Sequence, residues 1–166
     1  LNYGIGEFEG DLYVGDFKEG KKHGHGLYKI TNGSKYVGEF RNGIKNGHGT
    51  ITYGRGKFNG DIYEGGFKNG LFHGKGKAVF TDGETYIGEY KDDLPHGKGT
   101  LISNVGDQYI GDFKDGSRNG LGTYTFVNGD IYVGEFKNNM FDGNGIFTTV
   151  DGVKEEGIFK NNKLLK

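Results

Sequence analysis

Residues 131–137 and 119–127 alternate β-branched or aromatic side chains with polar ones, a period of two that predicts strands with one apolar face. The first pattern returns as Tyr-x-Gly-x-aromatic at Tyr13/Phe17, Tyr36/Phe40, Tyr63/Phe67, Tyr86/Tyr90, Tyr109/Phe113 and Tyr132/Phe136. A seventh copy, Glu155-Glu-Gly157-Ile-Phe159, keeps the glycine and the phenylalanine and has Glu in place of Tyr. Successive copies are 23, 27, 23, 23, 23 and 23 residues apart. Eleven residues after each tyrosine comes Gly-x-Gly: Gly24/Gly26, Gly47/Gly49, Gly74/Gly76, Gly97/Gly99, Gly120/Gly122 and Gly143/Gly145. Near the start, Gly4-Ile-Gly6 reads as the second half of a further unit. Self-similarity at a fixed period predicts a repeat array.

Within each unit two strands flank a hairpin signal, at Glu19-Gly20, Asn42-Gly43, Asn69-Gly70 and Asp115-Gly116, with Asp92-Asp93 and Asn138-Asn139 in the same place. A second set, Asn32-Gly33, Asp82-Gly83, Asn128-Gly129 and Asp151-Gly152, joins unit to unit. Such pairs suit type I′ turns, whose central residues both need positive φ. Glycine this frequent leaves no amphipathic helix. The expected array has a partial unit at 1–12, units at 13–35, 36–62, 63–85, 86–108, 109–131 and 132–154, and a degenerate unit at 155–166 reading as a C-terminal cap. The unit at 36–62 holds a four-residue insertion near 54–60, expected as a longer loop that perturbs the stacking. About 13 strands spaced roughly 4.8 Å apart would form a ribbon on the order of 60 Å long.

Strand parity sets the faces. Tyr13, Gly15 and Phe17 share one side, as do Gly24, Gly26 and Tyr28 in the next strand. Bare glycine backbone is expected to bed rings from the adjacent strand, with the tyrosine hydroxyls toward water. On the other side Asp16 and Lys18, Glu39 and Arg41, Glu89 and Lys91, Asp112 and Lys114, and Glu135 and Lys137 predict a solvated, charge-balanced surface.

Composition sharpens this picture. Glycine supplies 35 of 166 residues, against roughly 7% in average usage, yet 13 Phe and 11 Tyr exclude simple disorder. Formal charge is −1 and cysteine is absent, so nothing points to nucleic acid, a disulfide framework or a thiolate metal site. No apolar run reaches the ~20 residues of a membrane-spanning helix. Leu1 as first residue points to a piece of a longer chain. His23, His73 and His96 share one repeat position with Asn46, Asn119 and Asp142, which suits a hydrogen-bonding side chain near a turn rather than a general base. The Gly-x-Gly pairs precede no helix and so form no phosphate loop. No catalytic residue, cofactor or metal is expected.

These motifs resemble the MORN repeat, whose pattern runs roughly Tyr-x-Gly-x-Phe/Trp-x-x-Gly-x-x-x-Gly-x-Gly. The close of the chain, Gly157-Ile-Phe-Lys-Asn-Asn-Lys-Leu-Leu165, is also similar to that of small stand-alone MORN adaptors for unconventional myosin tails. The resemblance implies an all-β, elongated, single-layer twisted antiparallel sheet, a solenoid of β-hairpins with a concave aromatic groove. It also implies a cytoplasmic, non-catalytic scaffold or adaptor associated with membrane or cytoskeleton. A protein partner, as an extended or helical segment, is expected along a groove lined by Tyr36, Phe40, Tyr63, Phe67, Phe72, Tyr86, Tyr90, Tyr109, Phe113, Tyr132, Phe136 and Phe141. Phe72 and Phe141 are placed at the rim. Two alternatives stand beside it: phosphoinositide or phospholipid binding, disfavoured by basic columns that each have an acidic neighbour, and self-assembly into dimers or rods through terminal strands.

Overall fold

The alternating pattern folds as strands throughout. The computed structural model describes residues 2–8 and 10–165, with side chains from Gly10 onward. Part of the partial unit at 1–12, and of the edge considered at its start, therefore lies outside the described residues. Strands β1 (Asn2–Phe8) to β15 (Lys163–Leu164) follow chain order in one open sheet, with antiparallel pairing from β1 to β7 and from β9 to β15. No described residue is helical. The chain divides into two compact units, one of residues 1–82 with 91–93, the other of 83–90 with 94–166.

Hairpin turns behave as their residues demand. Asn42 and Gly43 have φ of 52° and 88°, and Asn138 and Asn139, which lack a glycine, have 49° and 71°. The unit-to-unit turns differ from expectation: only the glycine is left-handed, as at Gly33 (φ 90°). There the Ile30 amide donates to Ser34 O (2.8 Å) and the Gly33 amide to Ile30 O (2.8 Å). A three-residue loop ending in one left-handed glycine satisfies the same twist with less strain on the asparagine.

The insertion at 54–60 also departs from expectation, because it leaves the sheet undisturbed. Pairing runs on through Thr52↔Ile62 and Gly49↔Gly65. The loop is tied off at its base by Tyr53 N–H to Asp61 O (2.9 Å) and Gly60 N–H to Tyr53 O (2.9 Å). Tyr36 and Phe67, either side of it, keep a 5.0 Å centroid separation, as Tyr13 and Phe40 keep 5.1 Å.

Five of the hairpins share one irregularity, which shapes the ring face. Between Gly15↔Gly26 and Phe17↔Lys22, β2 (Asp11–Lys18) advances two residues while β3 (Lys21–Lys29) advances four. The same break follows Gly38, Gly65, Gly111 and Gly134. The first glycine of Gly-x-Gly sits in this bulge with positive φ, 60° at Gly24 and 117° at Gly120, a conformation that L side chains avoid.

Candidate functional site: the ring face and its roof

The tyrosine rings lie flat on glycine. A Cβ added to Gly26 would stand 2.4 Å from Tyr13 Cε2, and one added to Gly122 2.4 Å from Tyr109 Cε2. Tyr13, Tyr36, Tyr63, Tyr86, Tyr109 and Tyr132 are at most 1% exposed. Their hydroxyls do not face water, contrary to expectation. Each donates to the carbonyl three residues on: Tyr13 to Asp16 O (2.9 Å), Tyr36 to Glu39 O (3.0 Å) and Tyr63 to Gly66 O (2.9 Å). Tyr86, Tyr109 and Tyr132 do the same to Glu89, Asp112 and Glu135 (2.9, 2.9 and 3.1 Å). The bulge interrupts the strand-to-strand ladder at these carbonyls and leaves them to the hydroxyls. Burial, reinforced by the acids alongside, pushes Tyr86, Tyr109 and Tyr132 up to about 12.

Rings then alternate edge-to-face along each unit. Tyr13 meets Phe17 and Phe40 at 5.0 and 5.1 Å, and Tyr36 meets Phe40 and Phe67 at 5.1 and 5.0 Å. In the second unit Tyr86 meets Tyr90 and Phe113, and Tyr109 meets Phe113 and Phe136. Tyr132 closes the series on Phe136 and Phe159 at 5.3 and 5.0 Å. This ladder is the hydrophobic core of a sheet without a second layer.

The acids after Tyr-x-Gly are not merely solvated charges. Asp16, Glu39, Asp112 and Glu135 accept the backbone N–H of His25, His48, Leu121 and Asn144 at 3.0, 2.7, 3.1 and 3.0 Å. Each carboxylate thus satisfies the amide between the two glycines of its own hairpin. A second polar column, two residues before each tyrosine, latches consecutive unit-to-unit turns. Asp11, Asp61, Asp107 and Asp130 accept the amides of Thr31, Thr81, Val127 and Val150 at 2.8 to 2.9 Å. Asp107 also accepts Tyr124 O–H at 2.7 Å. Neither role was read from the sequence, although both columns recur at the repeat period.

A third unread column roofs the rings. Phe72 stacks on Tyr63 (3.7 Å, 11°) and Phe141 on Tyr132 (3.8 Å, 9°), so these two cover the ladder rather than mark a rim. Lys22 lies 3.7 Å from the Tyr28 centroid, Lys45 5.2 Å from Tyr36, and the Arg118 guanidinium 5.0 Å from Tyr124 and 5.7 Å from Tyr109. Desolvation among the rings lowers both lysines.

Each expected groove residue is therefore placed on the ring face of its unit: Tyr36, Phe40, Tyr63, Phe67 and Phe72 in the first, Tyr86, Tyr90, Tyr109, Phe113, Tyr132, Phe136 and Phe141 in the second. All are buried except Phe72, which is half-buried. What stands open above them in the second unit is a trough of two cavities, about 520 and 170 Å³, that share Arg118, Tyr124 and Asn139. Half-buried Tyr124, Phe126 and Phe147 wall the larger one.

The opposite face carries another depression, about 600 Å³, over Gly99, Gly111, Gly122 and Gly134. Ile110, Leu121 and Val133 border it at 52%, 63% and 50% exposure. That face is thus striped with aliphatic side chains as well as charges, which the sequence reading overlooked. His73 and His96 belong to neither cavity; each has Nδ1 3.6 Å from a carboxylate of the following hairpin turn, Asp92 and Asp115. No group of His, Cys, Asp and Glu among the described residues could hold a metal ion.

The MORN repeat family matches residues 13–35, 36–58, 63–85, 86–108, 109–131 and 132–154. The chain belongs to the MORN repeat family. No curated protein sequence matches it. Among solved structures, the MORN array is similar to the SAS-4 (dCPAP) TCP domain of Drosophila melanogaster, solved in complex with a proline-rich motif of Ana2 (dSTIL). The two share 15% identity over 90% of this chain and 79% of that one, with a TM-score of 0.54, a likeness of fold alone. The TCP10c domain of Drosophila melanogaster Sas-4 is 17% identical over 82% of this chain and 93% of that one, with a TM-score of 0.23 that carries no argument.

Proposed function

We propose that this MORN array is a non-catalytic scaffold that holds an extended segment of a protein partner in the trough on the ring face of its second unit. The observation that carries the reading is the trough itself: half-buried Tyr124, Phe126 and Phe147 stand around convergent polar groups of Arg118 and Asn139. A recognition site combines apolar walls with a few polar groups that fix orientation, whereas the outer depression is bordered by aliphatic tips, two threonines and Lys98. Tyr86, Tyr109, Phe113, Tyr132 and Phe136 serve as a rigid floor, and the roofing and walling side chains, Phe141 among them, make the contacts. Proline-rich segments suit aromatic-lined grooves because they are already extended. The fold-similar SAS-4 domain was solved with such a motif, which supports this class of partner.

Selection of displayed random 12-residue peptides on the intact chain tests the reading. Binders should lose at least ten-fold in affinity on Phe126→Ser or Phe147→Ser and keep it on Val133→Ser, on the outer face. Binders sensitive to Val133 and indifferent to both phenylalanines would move the site to the other side.

A further inference from the structure

Glu155 stands where every other complete unit has the ladder tyrosine. It pairs directly with Phe147 across the sheet, lines the larger cavity and is exposed. A tyrosine here would have no glycine to lie on, because β15 is two residues long and Leu164 fills the place above Gly157, its Cδ1 2.8 Å from a Cβ built there. Among the described residues the Glu155 carboxylate has no hydrogen bond or ion pair.

Arg118 lies at the other end of the larger cavity, where it joins the smaller one. One Nη donates to Asn139 O at 2.9 Å, Nε is buried with no acceptor, and no carboxylate is within ion-pair distance among the described residues. Arginine has five N–H donors in a fixed fork; beyond those facing Asn139 O and the Tyr124 hydroxyl, the remainder can serve a partner carboxylate. Arg118 is on β11 (Ser117–Thr125) and Glu155 on β14 (Lys154–Lys160), three strand spacings away. At roughly 4.8 Å each this is about 14 Å across the strands; Glu155 lies on the row of Phe147, Tyr132 and Tyr124, and the Arg118 guanidinium reaches toward that row, 5.0 Å from the Tyr124 centroid.

We propose, resting on the partner-binding reading above, that the larger cavity of the trough carries opposite charges at its two ends and selects a segment with an acidic and a basic residue about four positions apart. The acidic side chain is taken by Arg118 and the basic one by Glu155, with apolar residues between them on Phe126 and Phe147. Four residues of extended or polyproline chain span about 13 Å, which matches the separation of the two charges. A segment of like charges places one end against its own sign.

The test uses the full chain and capped, labelled peptides with the core Glu-Pro-Leu-Pro-Lys. Controls carry norleucine for Lys, Gln for Glu, Lys for Glu, or a single residue between the charges. Binding is read from the Phe126 and Phe147 ring resonances and from anisotropy. Partly exposed ion pairs contribute about 0.2–1 kcal/mol each, so each neutralising change should weaken binding by a factor of about 1.4 to 5. Glu155→Gln should erase the preference for Lys over norleucine, and Glu155→Lys should transfer the preference to a peptide with Glu at both ends. Equal affinity for charged and neutral peptides overturns the polarity and leaves the trough standing. Failure of every peptide, the neutral ones included, overturns both.

Discussion

Replacing Gly122 by alanine isolates the ring bed from every other role of glycine. The backbone at Gly122 is not left-handed, so alanine carries no conformational penalty there. By chain entropy alone the change would stabilise the protein by about 0.4–1 kcal/mol. Packing gives the opposite sign. The new methyl would lie 2.4 Å from Tyr109 Cε2 and 2.6 Å from Cζ and Oη. Carbon atoms settle at about 3.5–4.0 Å, so the ring must lift by about 1 Å. It cannot lift freely, with Phe113 and Phe136 at 5.1 and 4.8 Å and Arg118 above. Lifting also strains the 2.9 Å bond from the hydroxyl to Asp112 O. Overpacking costs about 1–3 kcal/mol and a weakened buried hydrogen bond about 1 kcal/mol more. Less the entropy gain, the expected net loss is roughly 1–3.5 kcal/mol, read as a lower urea midpoint with an unchanged slope. Faster amide exchange in β10 (Gln108–Lys114) to β12 (Ile131–Lys137) should accompany it. In a Tyr109→Leu background the same glycine change should cost far less. A midpoint that stays or rises in the single variant would refute the account of the glycines.

Three further outcomes follow from the same geometry. Tyr86, Tyr109 and Tyr132 titrate higher folded than unfolded, so stability should be flat below their unfolded value of ~10. It should then fall by about 2 kcal/mol per tyrosine as pH rises toward 12, measured by urea midpoints across pH 8 to 12; a flat profile would contradict their burial. Asp107→Ala strands the Val127 amide and the Tyr124 hydroxyl and should cost about 1–3 kcal/mol, with exchange at Val127 accelerated first. Glu135→Ala removes the acceptor for the Asn144 amide and should cost about 1 kcal/mol, which Glu135→Gln largely restores because an amide oxygen still accepts.

Strand positions, hairpin turns and the shared side of Tyr and Phe were legible because all three follow from period-two alternation and from residues that tolerate positive φ. The bulge was not, since it exists only in the pairing: the sequence shows Gly24 and Gly26 as equivalent, while the register assigns one to a turn of the backbone and the other to the ring bed. Without the bulge, Asp16 and Glu39 looked like surface charge and the tyrosine hydroxyls had no buried acceptor. The roofing column hid for another reason. Lys22, Lys45, Phe72 and Arg118 have no chemistry in common beyond a flat or cationic group to lay on a ring, so the repeat pattern shows a variable position there. The tyrosines expected from the sequence as contact residues are buried in the ring ladder, and mutating them would test folding before binding.

The tied-off loop at 54–60 has a practical corollary. Because Tyr53 and Asp61 close the ladder beneath it, the extra residues add length on the linking side without spending any of the sheet's pairing or ring contacts. The 54–60 loop is accordingly a place where foreign loops, tags or whole inserted domains should be accepted, while the aspartate-latched turns of the other units and the hairpin tips, stitched by bonds such as Gly70 N–H to Lys45 O at 2.9 Å, should reject them.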